Sequence, residues 1–329
     1  MRAFVCHLLW FLIIQGCIWM GVLVLYRQYK VVDFTTNETR YFAAKIDKHN
    51  LLVQQPSPRI VFVGGSNLAF GLDSSEIERL LGYHPVNMGL HLGLGLDFML
   101  QEVEPFLKYG DIVLISPEYE NFADLYSGDV GTLFTQMEIQ PDSIQFLTLG
   151  NLTLLLDQGF VIIGTIVQRS ISFGVSVLKG EVQRQPQAPQ GPYRRSAFNQ
   201  FGDVIAHRNL APKDFRVDKY KPSTPASIAR IITRLNTFNN HCQYKGVLVF
   251  YSYPPLFQGQ MRANANMMHE IAFNLSQRLN FPLLDTPEEM SFPLDYFFDG
   301  PYHLNAFGTH IRTWHLIEKL REKLAHHTT

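Results

Sequence analysis

At its start the chain shows no alternation of polar and apolar positions. From Phe4 to Tyr26 it reads "FVCHLLWFLIIQGCIWMGVLVLY", without one Asp, Glu, Lys or Arg. A helix of that length, at about 1.5 Å per residue, spans the roughly 30 Å hydrocarbon core of a bilayer. Cleavable signal peptides carry a shorter apolar stretch of about 7–15 residues and a small-residue cleavage site. No such site follows Tyr26, so residues 1–30 are expected to be an uncleaved membrane anchor. Arg2 and the terminal amine on one flank nearly balance Arg27 and Lys30 on the other, and charge leaves the orientation open. Residues 31–58 are polar and end in "QQPSPR", whose prolines oppose a continuing helix. This segment reads as a stalk or helical neck before a folded domain over 59–329.

From Arg59 onward short aliphatic runs alternate with longer mixed segments. The runs are "IVFVG" (Ile60–Gly64), "HPVNMG" (His84–Gly89), "DIVLIS" (Asp111–Ser116), "GVLVFYS" (Gly246–Ser252) and "FPLLDT" (Phe281–Thr286). None alternates strictly, which predicts strands buried on both faces, as in a parallel sheet covered by helices. Between the first two, "DSSEIERLLG" offers Asp73 or Ser74 as a cap, an early Glu76, apolar Ile77, Leu80 and Leu81, and Gly82 as terminator. Further helices are expected at Leu96–Lys108, Ser223–Cys242, Arg262–Asn280 and Asn305–Ala325. Strand and helix in succession predict the α/β class, specifically a doubly wound α/β/α sandwich with a parallel, flavodoxin-like sheet.

The pattern fails between Phe122 and Tyr220, a stretch too long for an ordinary loop and so an insertion. Its segment Phe146–Gly180 is strongly apolar but is broken by Asp157, Gln158, Gln168 and Arg169. A helical insertion that is buried or faces the membrane is expected there, rather than a second span. The following "EVQRQPQAPQGPYRRSAFNQFGD" is rich in Gln and Pro and reads as an exposed, mobile loop.

Composition removes several function classes. The formal net charge of -1 leaves no electrostatic footprint for nucleic acid. Neither a Cys/His zinc spacing nor a phosphate-binding glycine loop is present, so no metal or cofactor is expected. His303, His310 and His315 read as surface or core histidines rather than ligands. Outside the anchor Cys242 stands alone, and no disulfide can form within the domain.

Ligands of open α/β sheets bind at the carboxyl ends of the strands. There the first run ends in Gly64-Gly65-Ser66-Asn67, the second in Asn87-Met88-Gly89 and the third in Ser116-Pro117-Glu118-Tyr119. Near the C-terminus, Asp299 and His303 flank a Gly300-Pro301 turn just before a helix that Asn305 can cap. A serine hydroxyl needs a base to take its proton, and a histidine serves when a carboxylate holds its other nitrogen. Ser66, His303 and Asp299 are therefore the candidate catalytic residues. Backbone amides of Ser66 and Gly89 are the candidate oxyanion donors.

At these residues the chain resembles the SGNH or GDSL-like hydrolase superfamily, over roughly Arg59–Asn121 and Lys245–Leu324. The strand before "VGGSN" is similar to the family's first block and implies Ser66 as nucleophile. "VNMGL" is similar to the second and implies an oxyanion amide at Gly89, while "FDGPYHLNAFG" implies Asp299 and His303. The family's oxyanion asparagine has no direct counterpart in "SPEYENF", so Tyr119 replaces it, Asn121 reaches in, or the third contact is absent. Asn67 and Glu118 are further substrate-side candidates, with Glu118 and Glu120 alternatively a buried pair supporting the loop. Three residues rather than two separate Asp299 from His303, and Asp295 is the fallback carboxylate. The anchor and the variant third block resemble the membrane-tethered branch that includes proteins of alginate O-acetylation and teichoic acid D-alanylation. That resemblance implies an extracytoplasmic serine esterase or O-acyltransferase acting on an acylated glycan or another acyl ester. The competing expectation is a non-catalytic binding or assembly subunit that partners a membrane acyltransferase or polymer-export complex.

Overall fold

The computed structural model describes residues 2–37, 40–181 and 191–325. Residues 182–190 of the Gln/Pro-rich loop expected after Gly180 lie outside the described residues, as do positions 38 and 39 of the expected stalk. The first helix, α1 (Arg2–Asn37), runs beyond the apolar stretch. Its segment Phe4–Tyr29 is long and apolar enough to cross a membrane.

The domain begins earlier than Arg59. Helix α2 (Ala44–Gln54) buries Lys45, Lys48 and Leu52, so this part of the segment read as a stalk packs into the fold. Its lysines lay their stems along apolar surface and satisfy their ammonium groups inside. Lys45 pairs with Glu102, and Lys48 donates to the carbonyl of Asn87 at 2.7 Å.

Four strands, β1 (Arg59–Gly64), β2 (His84–Asn87), β3 (Ile112–Ser116) and β4 (Leu248–Tyr251), form a parallel sheet in the order β2-β1-β3-β4. Between β1 and β2 lie α3 (Ser66–Ala69) and α4 (Ser74–Leu81), and α5 (Leu96–Val103) precedes β3. The insertion holds α6 (Val130–Ile139), α7 (Leu149–Asp157) and α8 (Gly159–Leu178), of which α6 carried no clear sequence signal. Helix α9 (Pro225–Tyr244) leads into β4. Two short strands, β5 (Leu256–Phe257) and β6 (Ser291–Phe292), pair apart from the main sheet, and α10 (Gln258–Ala263), α11 (Ala265–Arg278) and α12 (Ala306–Ala325) complete the chain.

Side chains of the strands leave alternately to two cores. Val61, Val63, Val113 and Ile115 join Leu96 and Leu100 of α5 and Ile231 and Leu235 of α9. Ile60, Phe62, Ile112 and Leu114 join Ile77 of α4 and Leu316, Ile317 and Leu320 of α12. Apolar residues on both faces are what the unalternating runs demanded. The run Phe281–Thr286 behaves differently, making only an isolated bridge from Leu283 to Tyr251. Pro282 has no N–H to give, so it contributes its carbonyl alone, accepting from Tyr251 N–H at 3.0 Å. Gly82 ends α4 with a φ of 73°, the left-handed conformation expected of its C-cap.

Candidate active site

The end of β1 brings Ser66 to the carboxyl edge of the sheet because two glycines allow neighbouring groups to come close. A Cβ on Gly64 would collide with the Ser116 carbonyl of β3, and one on Gly65 with the Glu118 carboxylate. Ser66 itself is 6% exposed. From the other end of the domain, 237 positions away in sequence, His303 places Nε2 2.9 Å from Ser66 Oγ. Its Nδ1 lies 2.8 Å from Asp299 Oδ1. Because an ionised carboxylate only accepts, Nδ1 carries the ring hydrogen and Nε2 is free to receive the serine proton. Burial pushes the Asp299 carboxyl up, but the hydrogen bond from His303, with that from the Tyr193 hydroxyl, outweighs it and holds Asp299 below its ordinary value. Asp295 is exposed, and its carbonyl serves Asn305 instead.

A fourth residue completes this relay. The Tyr193 hydroxyl donates to Asp299 Oδ2 at 2.8 Å and lies 3.3 Å from His303 Nδ1. Phe70 stacks on the His303 ring with centroids 4.2 Å apart and planes 13° from parallel. One side of the imidazole is thereby fixed by aromatic contact and its Nδ1 edge by oxygen. Tyr193 lies in the Gln/Pro-rich stretch of the insertion, where periodicity offered no signal.

Glu118 is fully buried, and its two oxygens accept Gly65 N–H at 3.1 Å and Asn67 N–H at 3.0 Å. These amides flank Ser66, so Glu118 holds the nucleophile turn from behind and is out of reach of substrate. Burial pushes its carboxyl up, opposed by the Asn67 hydrogen bonds. Arg312 of α12 grips the same turn from the other side, donating to Asn67 O at 2.7 Å, Asn67 Oδ1 at 2.9 Å and Ser116 Oγ at 3.1 Å. Burial brings its guanidinium down to about 9. Asn67 spends its remaining amide hydrogen bonding on the Ser116 carbonyl at 2.8 Å, and is a structural part of the turn.

The oxyanion side differs from expectation. Gly89 does pack against the turn, since a Cβ there would sit 2.5 Å from Leu68 Cβ and 2.7 Å from the Gly65 carbonyl. Its N–H, however, donates to Asn87 Oδ1 at 3.0 Å. A short Asn side chain readily closes such a turn over the residue two ahead. Tyr119 is buried in the core, and Asn121 gives its amide to the carbonyls of Leu92 and Leu125 at 3.2 and 2.9 Å. Neither takes the place of the family's asparagine. The N–H of Ser66 lies between the Gly65 and Asn67 amides that Glu118 holds and is the remaining candidate oxyanion donor.

His91, also missed in the sequence, caps a short turn by accepting Gly93 N–H on Nδ1 at 3.0 Å. Burial holds it below its ordinary value against the pull of Asp129, and His303 adds to that lowering. The ring is thus neutral with its hydrogen on Nε2. Tyr302 donates to Glu120 at 2.7 Å, so Glu120 supports the loop as the second member of the pair. The histidines beyond the relay go separate ways, His310 toward Glu76 at 3.8 Å and His315 toward Asp285 at 3.9 Å. No group of three metal-ligating side chains occurs among the described residues. No protein-family model matches the chain, and no curated protein matches it.

Proposed function

We propose that this protein is a membrane-anchored serine esterase or O-acyltransferase of the SGNH type, built on a doubly wound, flavodoxin-like domain. The observation that carries the reading is the continuous relay from Ser66 Oγ through His303 to Asp299, at 2.9 and 2.8 Å. In this mechanism His303 Nε2 takes the Ser66 proton as Oγ attacks the acyl carbon of an ester. The tetrahedral oxyanion is met by the Ser66 N–H. Collapse breaks the bond to the alcohol, which leaves with the proton held on His303, and Ser66 keeps the acyl group. Water or a sugar hydroxyl then gives its proton to His303 and attacks the acyl carbon; the acyl–Oγ bond breaks, His303 returns the proton to Ser66 Oγ, and the free acid or the new ester leaves. Hydrolysis and transfer use the same residues and differ in whether the acceptor site admits water. The parallel sheet and the resemblance of the three motif blocks support the SGNH type, while the resemblance of the anchor and the variant third block to the membrane-tethered branch is what suggests an extracytoplasmic enzyme acting on an acylated glycan.

A second reading, a non-catalytic assembly subunit, draws on the engaged Gly89 and Asn121 amides, which leave a sparse oxyanion site. Fluorophosphonate labelling of the detergent-solubilised full chain separates the two. The enzyme reading expects covalent modification at Ser66, its loss in Ser66→Ala, and parallel loss of aryl-acetate hydrolysis. A wild-type protein that is folded yet inert to the reagent, or a Ser66→Ala variant with undiminished turnover, overturns it.

A further inference from the structure

The two long apolar helices run side by side. Ser170 Oγ of α8 donates to the Val22 carbonyl of α1 at 3.1 Å, and a Cβ on Gly174 would lie 3.6 Å from Leu25 Cδ1. The contacts advance together, so α8 points the way α1 points, toward the domain. By length and composition α8 also qualifies as a span. A full crossing in that direction requires the chain first to reach the far side through α7. Helix α7 has nine residues and extends roughly 13 Å at about 1.5 Å per residue, less than half of a ~30 Å hydrocarbon core. Its start is tied to the domain, where Asn151 donates to the Ser127 carbonyl at 2.7 Å.

The level at which α8 returns is marked by polar groups. Glu138 of α6 pairs with Arg169 of α8 and accepts from Tyr26 of α1. On the far side of that cluster the stretch Gly159–Gln168 carries no charge. It exposes Phe160 (88%) and Val161 (55%), while α7 exposes Leu149 (80%) and Leu156 (81%). Such an apolar surface is unfavourable in water and continuous with the helix read as the anchor.

Resting on that anchor reading, we propose that α7 and α8 form a re-entrant hairpin whose occupied surface is the lipid of the domain-side leaflet. The hairpin enters through α7, turns at Asp157–Gly159 and leaves through α8 beside α1. Asp157 keeps it shallow, because a carboxylate is costly at the bilayer centre. The chain then returns to the domain at Tyr193, whose hydroxyl holds Asp299. The lipid-embedded element and the catalytic relay therefore belong to one covalent segment.

The test uses the full chain in phosphatidylcholine/phosphatidylglycerol vesicles with Cys6 and Cys17 replaced by Ser. Cys242 stays, since it is buried and burial pushes its thiol up to about 12. An environment-sensitive fluorophore is placed in turn at Leu156→Cys, Phe160→Cys, Ile13→Cys in α1 and the exposed Tyr109→Cys in the domain. Positions 156, 160 and 13 are expected to emit to the blue and to be quenched by nitroxide lipids but not by iodide, with position 109 the reverse. Positions 156 and 160 are further expected to respond most to nitroxides near the head group. If 156 and 160 behave as 109 does while 13 lies in lipid, the hairpin is overturned and the anchor stands. If 160 is reached by a reagent on the side opposite the domain, α8 is a span and the hairpin is likewise overturned. If 13 is also in water, the anchor reading fails and the hairpin with it. None of these outcomes depends on esterase activity.

Discussion

Replacing Glu118 by Gln tests the physical basis of the nucleophile turn without changing its volume. In the wild type two charge-assisted bonds, at 3.1 and 3.0 Å, hold the amides on either side of Ser66. Glutamine retains one acceptor oxygen and turns an NH2 group toward the other amide. One bond to a charged acceptor is lost, worth about 1.5–3 kcal/mol, and a buried N–H is left facing a donor. Relief from burying a carboxylate offsets part of this. The net expectation is a destabilisation of about 2–3 kcal/mol. Because the strain falls on Gly65 and Asn67, it also moves Ser66 Oγ and the Ser66 N–H from their positions. Urea unfolding of the full chain in mild detergent measures the first effect, and the rate of fluorophosphonate labelling at saturating folded fraction measures the second. Labelling is expected to slow by about tenfold to a thousandfold, as misplaced catalytic groups lose their proximity advantage. A variant within about 0.5 kcal/mol of wild type, the scatter of ordinary surface substitutions, and labelled at the wild-type rate would refute the clamp.

Two further expectations concern the relay and its support. Tyr193→Phe deletes the hydroxyl 2.8 Å from Asp299, and loss of a bond worth about 1.5–3 kcal/mol is expected to lower kcat/KM roughly tenfold to a hundredfold. Without that donor the Asp299 carboxyl rises, so the loss of activity caused by its own protonation sets in at higher pH, and an unmoved onset with unchanged kcat/KM refutes the role. Burial, against the Tyr302 hydrogen bond, pushes Glu120 up from 4.5 to about 7. Its folded-state value exceeds the unfolded one, so its stabilising protonation is complete below about 4.5 and is lost as pH rises through about 7, a change of about 3 kcal/mol. Glu120→Gln is expected to reduce the fall in melting temperature between pH 5 and pH 8, and a variant with the wild-type pH dependence contradicts the assignment.

Features set by short stretches of sequence were the legible ones. The runs beginning at Ile60, His84, Asp111 and Gly246 carry enough apolar residues to cover two faces, and each contains a strand of the sheet. Asp299 and His303 sit in one turn, so their mutual placement was local and visible. Glu118 was visible as a candidate, yet its role was not, because a carboxylate after a strand looks the same whether it faces substrate or a backbone turn. Arg312 gave no sign, since its partners Asn67 and Ser116 lie 245 and 196 positions away. The packing of α2 was hidden for a related reason, as Lys45 and Lys48 look like solvent residues until Glu102 and the Asn87 carbonyl are found beside them.

By itself, then, the sequence determined the apolar N-terminal helix, the parallel α/β character of the domain and the identity of a serine, a histidine and an aspartate suited to one relay. Those depend on residue type and local period. Only the tertiary structure decided that the three meet, that Tyr193 from the insertion joins them, and that Gly89 gives its amide to Asn87. The reason is that hydrogen bonds act over about 3 Å between groups whose separation along the chain carries no periodic trace. Which donor meets which acceptor is settled by packing of the whole domain around them.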